Sequence, residues 1–217
     1  MPGTHGLASR LRADTAEAHR SAERSPLMRR ILRTEVGPVA YCRLLRSLWD
    51  LYDALERGID RHATDDVVSV VSSAALRRSP ALAADLRSLH GPGWATDLVT
   101  GQATRRYVER LDRLARVEPA LLVAHAYVRY MGDLSGGQLL EPRVAAALGL
   151  EGEAGLAFYR FPAIPDPAAF KAGMRAALDA LPVDPPRADR IVGEAQWAFA
   201  GNLAIFDEVE ADTAVRA

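Results

Sequence analysis

The residues best suited to chemistry lie in one glycine-rich stretch near the middle of the chain. Positions 125–138 read HAYVRYMGDLSGGQ, which places Asp133 between Gly132 and Gly136. The stretch is predicted to be helical, and a glycine inside a helix costs about 0.5–1 kcal/mol relative to alanine. Gly132 and Gly136 are four residues apart and share a helix face. That face either packs tightly against another helix, or lets a flat ligand lie close to the backbone with the Asp133 carboxylate above it.

A second candidate is His19 on the first predicted helix, with Glu23 four residues later. Residues at this spacing are neighbours on a helix surface, and a metal-bound histidine usually gives its second ring N–H to a carboxylate or a carbonyl. A lone histidine is more often a surface or core residue, and His62, with Asp65 and Asp66 nearby, has a comparable pattern. Spacing alone leaves these alternatives open.

The composition restricts the class of protein. The chain has 217 residues, 49% hydrophobic and 25% charged, as is typical of a globular protein. Lys+Arg 27 against Asp+Glu 28 gives a net charge of −1, without the basic field of a general nucleic-acid binder. A single cysteine, Cys42, excludes an intramolecular disulfide and favours a reducing cytosol. We see no signal peptide or membrane-spanning apolar run, so we expect a cytoplasmic protein without membrane attachment.

The elements that must position these residues are predicted to be helices. A capping residue followed by proline marks a helix start at Ser25, Ser79 and Asp166, and more weakly at Glu118. β-Branched residues cluster only at 67–71, and no Asn-Gly or Asp-Gly hairpin turn occurs. We predict helices over 6–24, 26–32, 38–60, 67–73, 80–89, 103–117, 119–148, 167–181 and 186–211. No long linker divides them, so we expect one all-α domain over residues 1–217.

Four segments of the sequence resemble the haem oxygenase family. The segment with GDLSGGQ resembles the family's distal helix, and the segment around His19 resembles the one that carries its proximal histidine. In chain order the four segments are 15–23, 127–138, 155–162 and 199–206. The resemblance extends over a core of about 7–209. It implies a single-domain helical fold in which haem is sandwiched between a proximal first helix and a kinked, glycine-rich distal helix.

The resemblance also implies roles for matching residues. His19 would be the axial ligand of the haem iron, held by Glu23. Asp133 would hold ordered waters over the iron, and the same catalytic network would include Tyr52 and Arg129.

Other matching residues would bind the rest of the macrocycle. Arg12, Lys171 and Arg175 would pair with the haem propionates. Ala16 departs from the family pattern, because some relatives carry a basic residue there, so this clamp is expected to be weaker or differently shared. The remaining residues implied to contact haem are Gly132, Gly136, Ser135, Tyr127, Phe199 and Asn202.

The implied reaction is cleavage of haem by O2 and electrons into biliverdin, CO and ferrous iron. A histidine ligand gives only a moderate electron push toward O–O cleavage, and an aspartate acting through water protonates bound oxygen gently. Both conditions favour attack on the porphyrin edge, and the propionate contacts favour the α-meso carbon. The electrons require an external donor, a ferredoxin- or flavodoxin-type protein or an NAD(P)H-dependent reductase. We expect the protein to be a monomer.

Several alternatives remain. A haem carrier or sensor on the same fold would not need the carboxylate of Asp133. A di-iron carboxylate protein needs Glu-x-x-His pairs, and no histidine here has a glutamate three residues before it. A thiaminase-type hydrolase would use a cysteine nucleophile, but Cys42 has no histidine partner nearby in sequence and is expected to be a small, buried or half-buried filler. An interaction module would leave the glycine-rich helix unexplained. The remaining histidines are expected to be structural (His125) or on the surface (His5, His62 and His90).

Overall fold

Helices account for all the regular secondary structure in residues 6–214, the part of the chain that the computed structural model describes. The prediction of an all-α fold is therefore confirmed, while His5 lies outside the described residues. The α-helices are α1 Leu7–Asp14, α2 Ala16–Glu23, α3 Pro26–Leu32, α4 Pro38–Arg61, α5 Ser79–Leu89, α6 Trp94–Asp97, α7 Gln102–Val117, α8 Leu122–Leu148, α9 Pro167–Asp179 and α10 Pro185–Ala214. Short 3-10 helices cover Val68–Val71, Ala74–Leu76, Pro119–Leu121 and Ala157–Tyr159.

Two of the predicted helix starts have the expected caps. The Ser25 hydroxyl accepts a hydrogen bond from the Met28 amide at 3.3 Å, and the Asp166 carboxylate accepts one from the Ala169 amide at 2.9 Å. Proline follows each cap, where its missing N–H removes no helix hydrogen bond. Glu118 makes no such side-chain bond, and only a 3-10 turn follows it before α8 begins.

The prediction that Ser79 is a capping residue is wrong. Ser79 lies inside α5, and its hydroxyl donates to the buried carboxylate of Glu56. The Arg78 amide donates to the same carboxylate at 2.6 Å. A carboxylate from α4 therefore accepts the hydrogen bonds that are left free at the start of α5. The Arg78 guanidinium extends this network, because it donates to the carbonyls of Phe158 at 3.1 Å and of Arg160 at 2.6 Å.

The predicted first helix, 6–24, is divided at Thr15 into α1 and α2. The buried Thr15 hydroxyl donates to the Leu11 carbonyl at 2.5 Å, a bond that commonly bends a helix. At the other end of α1, the Ala8 amide donates to the Asp179 carboxylate at 2.8 Å. The predicted helix at 67–73 is also wrong, since these residues form only a 3-10 turn, and the short helix α6 was not predicted.

The core is organised around α4, which packs against α5, α7, α8 and α10. Apolar residues recur along α4 at helical spacing, so that one face of it is completely buried. The fully buried residues of this face include Tyr41, Leu45, Leu51, Tyr52 and Leu55. The buried apolar side chains of the described residues form one continuous cluster. None of the helices in 6–214 is long and apolar enough to cross a membrane.

Candidate functional site

A cavity of about 410 Å³ separates α2 from α8. Helices α3 and α4 supply much of its apolar wall, and α10 contributes Phe199, Asn202 and Phe206. A neighbouring cavity of similar volume shares His19 and Gly132 with the first. Volumes of this size are typical of small-molecule sites. The sequence segments predicted to form a site are therefore brought together around two adjoining cavities.

His19 projects from α2 at the edge of both cavities. Its Nδ1 lies 3.5 Å from a carboxylate oxygen of Glu23, and its ring packs edge-on against Phe199 with centroids 5.8 Å apart. The side chain is 53% exposed, and Nε2 has no hydrogen-bond partner among residues 6–214. None of the eight residues of α2 is buried. The arrangement leaves one imidazole nitrogen available to a ligand.

The glycines of α8 fall into two kinds. A methyl group built at Gly132 would meet no heavy atom within 4 Å, and one at Gly136 would meet only Leu140 at 3.8 Å. A methyl group at Gly137 would lie 3.0 Å from the backbone oxygen of Tyr159. Tight packing between segments therefore explains Gly137. Gly132 and Gly136 instead expose the helix backbone to the cavity, opposite His19.

Asp133 is held at the cavity wall by Tyr52 and Arg129. The Tyr52 hydroxyl donates to one carboxylate oxygen and accepts a hydrogen bond from the Arg129 Nε at 3.1 Å. Arg129 Nη2 donates to the other carboxylate oxygen at 3.2 Å. The structure thus brings these three candidate residues into contact with one another.

Burial dominates the titration of this group. It raises the pKa of Asp133, although Arg129 and the Tyr52 hydrogen bond act in the opposite direction. Burial also raises the pKa of Tyr52 well above its usual value. Burial alone would lower the pKa of Arg129, but Tyr52 and Asp133 outweigh it, so the pKa rises and Arg129 stays charged. Asp133 is therefore a carboxylate whose proton is held more tightly than usual.

The second cavity has a cationic lining. Arg12, Arg20 and Arg175 all border it, and its lining in the described chain includes no acidic side chain. The Nε of Arg175 is buried and has no hydrogen-bond partner within residues 6–214. Lys171 does not border the cavity itself but donates to the Ser135 hydroxyl, a lining residue, at 2.9 Å. Arg20 was not predicted, although it lies one turn after Ala16 on α2.

Two further predicted residues line the site. Tyr127 borders the second cavity, and burial raises its pKa. Asn202 borders the first, and its side-chain oxygen is buried without a hydrogen-bond partner in the described chain. Arginines at one end, apolar walls and an imidazole with a free nitrogen fit a flat, largely apolar, iron-containing ligand with carboxylates at one edge.

His125 lies outside the cavity, consistent with its predicted structural role. It is completely buried, with Nδ1 2.9 Å from the Tyr107 hydroxyl and Nε2 2.9 Å from Glu194. Burial lowers the pKa of His125 despite Glu194, so we assign a neutral ring that donates to Glu194 and accepts from Tyr107.

The other histidines and the cysteine are also placed. His90 is an exposed residue near Asp97. The surface prediction for His62 is wrong in part, because its half-buried ring lies 2.7 Å from the Ala115 carbonyl. Cys42 is buried, as expected. Within residues 6–214, no group of three or more His, Cys, Asp or Glu side chains is placed to hold a metal ion.

Comparison with known proteins gives a consistent result. A family model described as "Heme oxygenase" matches residues 5–208. A heme oxygenase of Guillardia theta is 37% identical over 207 residues, covering 95% of this chain and 87% of the relative. Heme oxygenase 1 of Nostoc sp. is 38% identical over 204 residues, covering 94% of this chain and 86% of that relative.

Solved structures are similar over the same range. The crystal structure of heme oxygenase-1 from Synechocystis sp. in complex with heme has a TM-score of 0.92 at 37% identity, covering 96% of this chain and 94% of that one. The structure of heme oxygenase from Leptospira interrogans has a TM-score of 0.91 at 37% identity, covering 94% of this chain and 100% of that one.

Proposed function

The chain belongs to the haem oxygenase family and is an enzyme that degrades haem, and we propose that the space between α2 and α8 is where it opens the ring. The product set is biliverdin, CO and ferrous iron. The observation that carries the assignment is the open backbone face at Gly132 and Gly136 opposite the free nitrogen of His19. No side chain of the described residues covers the helix backbone at Gly132, so a flat macrocycle could lie against it there.

We propose that His19 binds the haem iron through Nε2. Glu23, 3.5 Å from Nδ1, would hold the ring orientation and make the imidazole a better donor. Arg12 and Arg175 would bind the propionates, which explains the buried guanidinium nitrogen of Arg175 that has no protein partner in the described chain. Phe199 would pack beside the iron ligand, as it packs against His19.

The chemistry requires a proton source that does not itself bind the iron. Haem supplies the iron at which O2 is reduced and the ring carbon that is attacked. Asp133 is held at the cavity wall by Tyr52 and Arg129 and would act through water. Its raised pKa keeps a proton available nearer to neutral pH than an ordinary aspartate could.

We also propose the finer features of the reaction. By holding the propionates, Arg12 and Arg175 would fix how the ring is oriented in the site, and we assign cleavage to the α-meso carbon. Electrons would come from a ferredoxin- or flavodoxin-type protein or an NAD(P)H-dependent reductase. The basic residues Arg12, Lys171 and Arg175, which lie at or beside the second cavity, suit an acidic donor surface. The working unit would be a cytoplasmic monomer with residues 1–217 as one domain.

A haem carrier or sensor is the alternative that keeps the fold, and turnover distinguishes it. Purified protein is mixed with haem, O2 and a reductant, and its absorption spectrum is followed. Conversion of the haem bands to those of biliverdin supports the enzyme. Unchanged bands under conditions that reduce the iron would contradict it.

Two variants test the residue assignments. His19→Ala should lose the histidine-ligated spectrum and recover it with added imidazole, whereas His90→Ala, outside the site, should match the wild type. An unchanged spectrum in His19→Ala would remove this residue from the site. Asp133→Ala should bind haem but form little biliverdin, and normal turnover by this variant would refute the role of the carboxylate.

A further inference from the structure

Arg20 has no role in the assignments above, although it borders the cationic cavity. We infer that Arg20 replaces the basic residue missing at position 16 and binds a propionate of the haem substrate. The inference rests on the proposed function and extends it to a residue that positions the ring. It concerns a cation on α2, where a small Ala16 leaves space in the same cavity lining.

The distribution of charge around the cavity supports this role. Arg175 borders the cavity from α9, whereas Lys171 on the same helix does not border it and donates to Ser135. Among the described residues of α1 and α2 that border the cavity, Arg12 would be the only arginine if Arg20 were not counted. A carboxylate has two oxygens and can accept hydrogen bonds from more than one cation. Arg20 adds a second cation to the side of α1 and α2, one turn after Ala16.

The hydrogen bonds of Arg20 leave it able to bind an anion. Its Nε and Nη2 donate to a single oxygen of Glu17, at 3.1 and 2.6 Å. A guanidinium has five N–H donors, so Nη1 and one hydrogen of Nη2 remain. Glu17 is not among the residues bordering the cavity. It therefore steadies the guanidinium from outside while the remaining donors are left for a carboxylate.

Haem and its dimethyl ester together isolate the contribution of the propionate charge. We would titrate oxidised haem and the ester into wild type and Arg20→Ala and measure both dissociation constants by absorbance. A partly exposed ion pair contributes up to about 1 kcal/mol, so Arg20→Ala should weaken haem binding about fivefold, equivalent to about 1 kcal/mol. The ester lacks the charges, so its affinity should change less than about twofold. Ester binding also confirms that the cavity is intact.

Two further variants complete the test. Arg24→Ala removes the same charge one turn later, outside the cavity lining, and should leave both affinities unchanged. Adding Ala16→Arg to Arg20→Ala should restore haem affinity, because it returns a cation to the same helix face. The ratio of biliverdin isomers should shift in Arg20→Ala and return in the double variant.

Equal losses for haem and ester, or no loss for haem, would overturn the role of Arg20. Failure of Ala16→Arg to restore affinity would overturn the statement that the two positions substitute for one another. The titrations need no turnover. Absence of biliverdin formation by the wild type would therefore be a separate failure, that of the proposed function.

Discussion

Replacing Gly132 with alanine should stabilise the substrate-free protein and weaken its binding of haem. The added methyl group meets no heavy atom within 4 Å, and the position lies inside α8, so the change recovers the helix preference of alanine. That preference amounts to about 0.5–1 kcal/mol. For a chain of this length, 1 kcal/mol corresponds to about 2–4 °C in Tm. We therefore expect Tm to rise by about 1–4 °C without haem.

The same methyl group occupies the space proposed for the macrocycle. Inserting a methyl group into a filled contact typically costs about 1–3 kcal/mol, which corresponds to at least about a fivefold increase in Kd. Thermal unfolding of the haem-free protein and an absorbance titration with oxidised haem measure the two effects separately. We expect the substitution to stabilise the haem-free protein but weaken haem binding, because the helix face at Gly132 is open to the cavity.

Gly137→Ala is the matched control in the same helix. Its methyl group would lie 3.0 Å from the Tyr159 backbone oxygen, so the 157–159 turn or α8 must shift. Overpacking of about 1–3 kcal/mol exceeds the helix gain, and Tm should fall. A lower Tm for Gly132→Ala, or an unchanged Kd in that variant, would refute the assignment of Gly132 to the cavity.

Three further substitutions test other parts of the structure. Tyr52→Phe removes a hydrogen bond that lowers the pKa of Asp133, so the pKa should rise and the pH–rate profile should move to higher pH; an unshifted profile would contradict this. Burial would raise the pKa of Glu194, but hydrogen bonds from His125 and Arg110 lower it from a usual 4.5 to about 2. Glu194 therefore stabilises the fold above pH 4.5, and this contribution is lost as pH falls toward 2. Glu194→Gln should flatten the dependence of urea midpoints on pH in that range, and an unchanged slope would refute the pairing of Glu194 with His125 and Arg110. Asp179→Ala removes the cap of α1 at Ala8 and should cost about 1 kcal/mol in unfolding free energy; an unchanged Tm would exclude the cap.

Most helix boundaries could be predicted because their signals are local. The caps at Ser25 and Asp166 and the apolar periodicity of α4 depend only on nearby residues. The errors arise where a distant partner or a single side chain decides. Ser79 is bound by Glu56, 23 residues away in sequence, and the bend at Thr15 depends on one hydroxyl bond to the preceding turn. Periodicity reports neither interaction.

The candidate site was predictable where residues lie within one helix. The pairs His19–Glu23 and Arg129–Asp133 are four residues apart, and the structure places both pairs together. The distinction between Gly132 and Gly137 could not be predicted, because it depends on the turn at Tyr159 that packs under only one of them. Arg20 was missed since its proximity to Arg12 and Arg175 depends on how three helices meet.

The walls of the cavity differ in how firmly they are held. Behind α8, the Glu56–Arg78 network fixes the carbonyls of the 157–160 segment, and this segment supports Gly137. Across the cavity, α2 buries none of its residues and begins at the bend of Thr15. Local opening is least costly where few apolar contacts are buried. We therefore expect α2, rather than α8, to move when the rigid, planar haem binds. Contacts with haem would then bury part of α2 and make it more ordered.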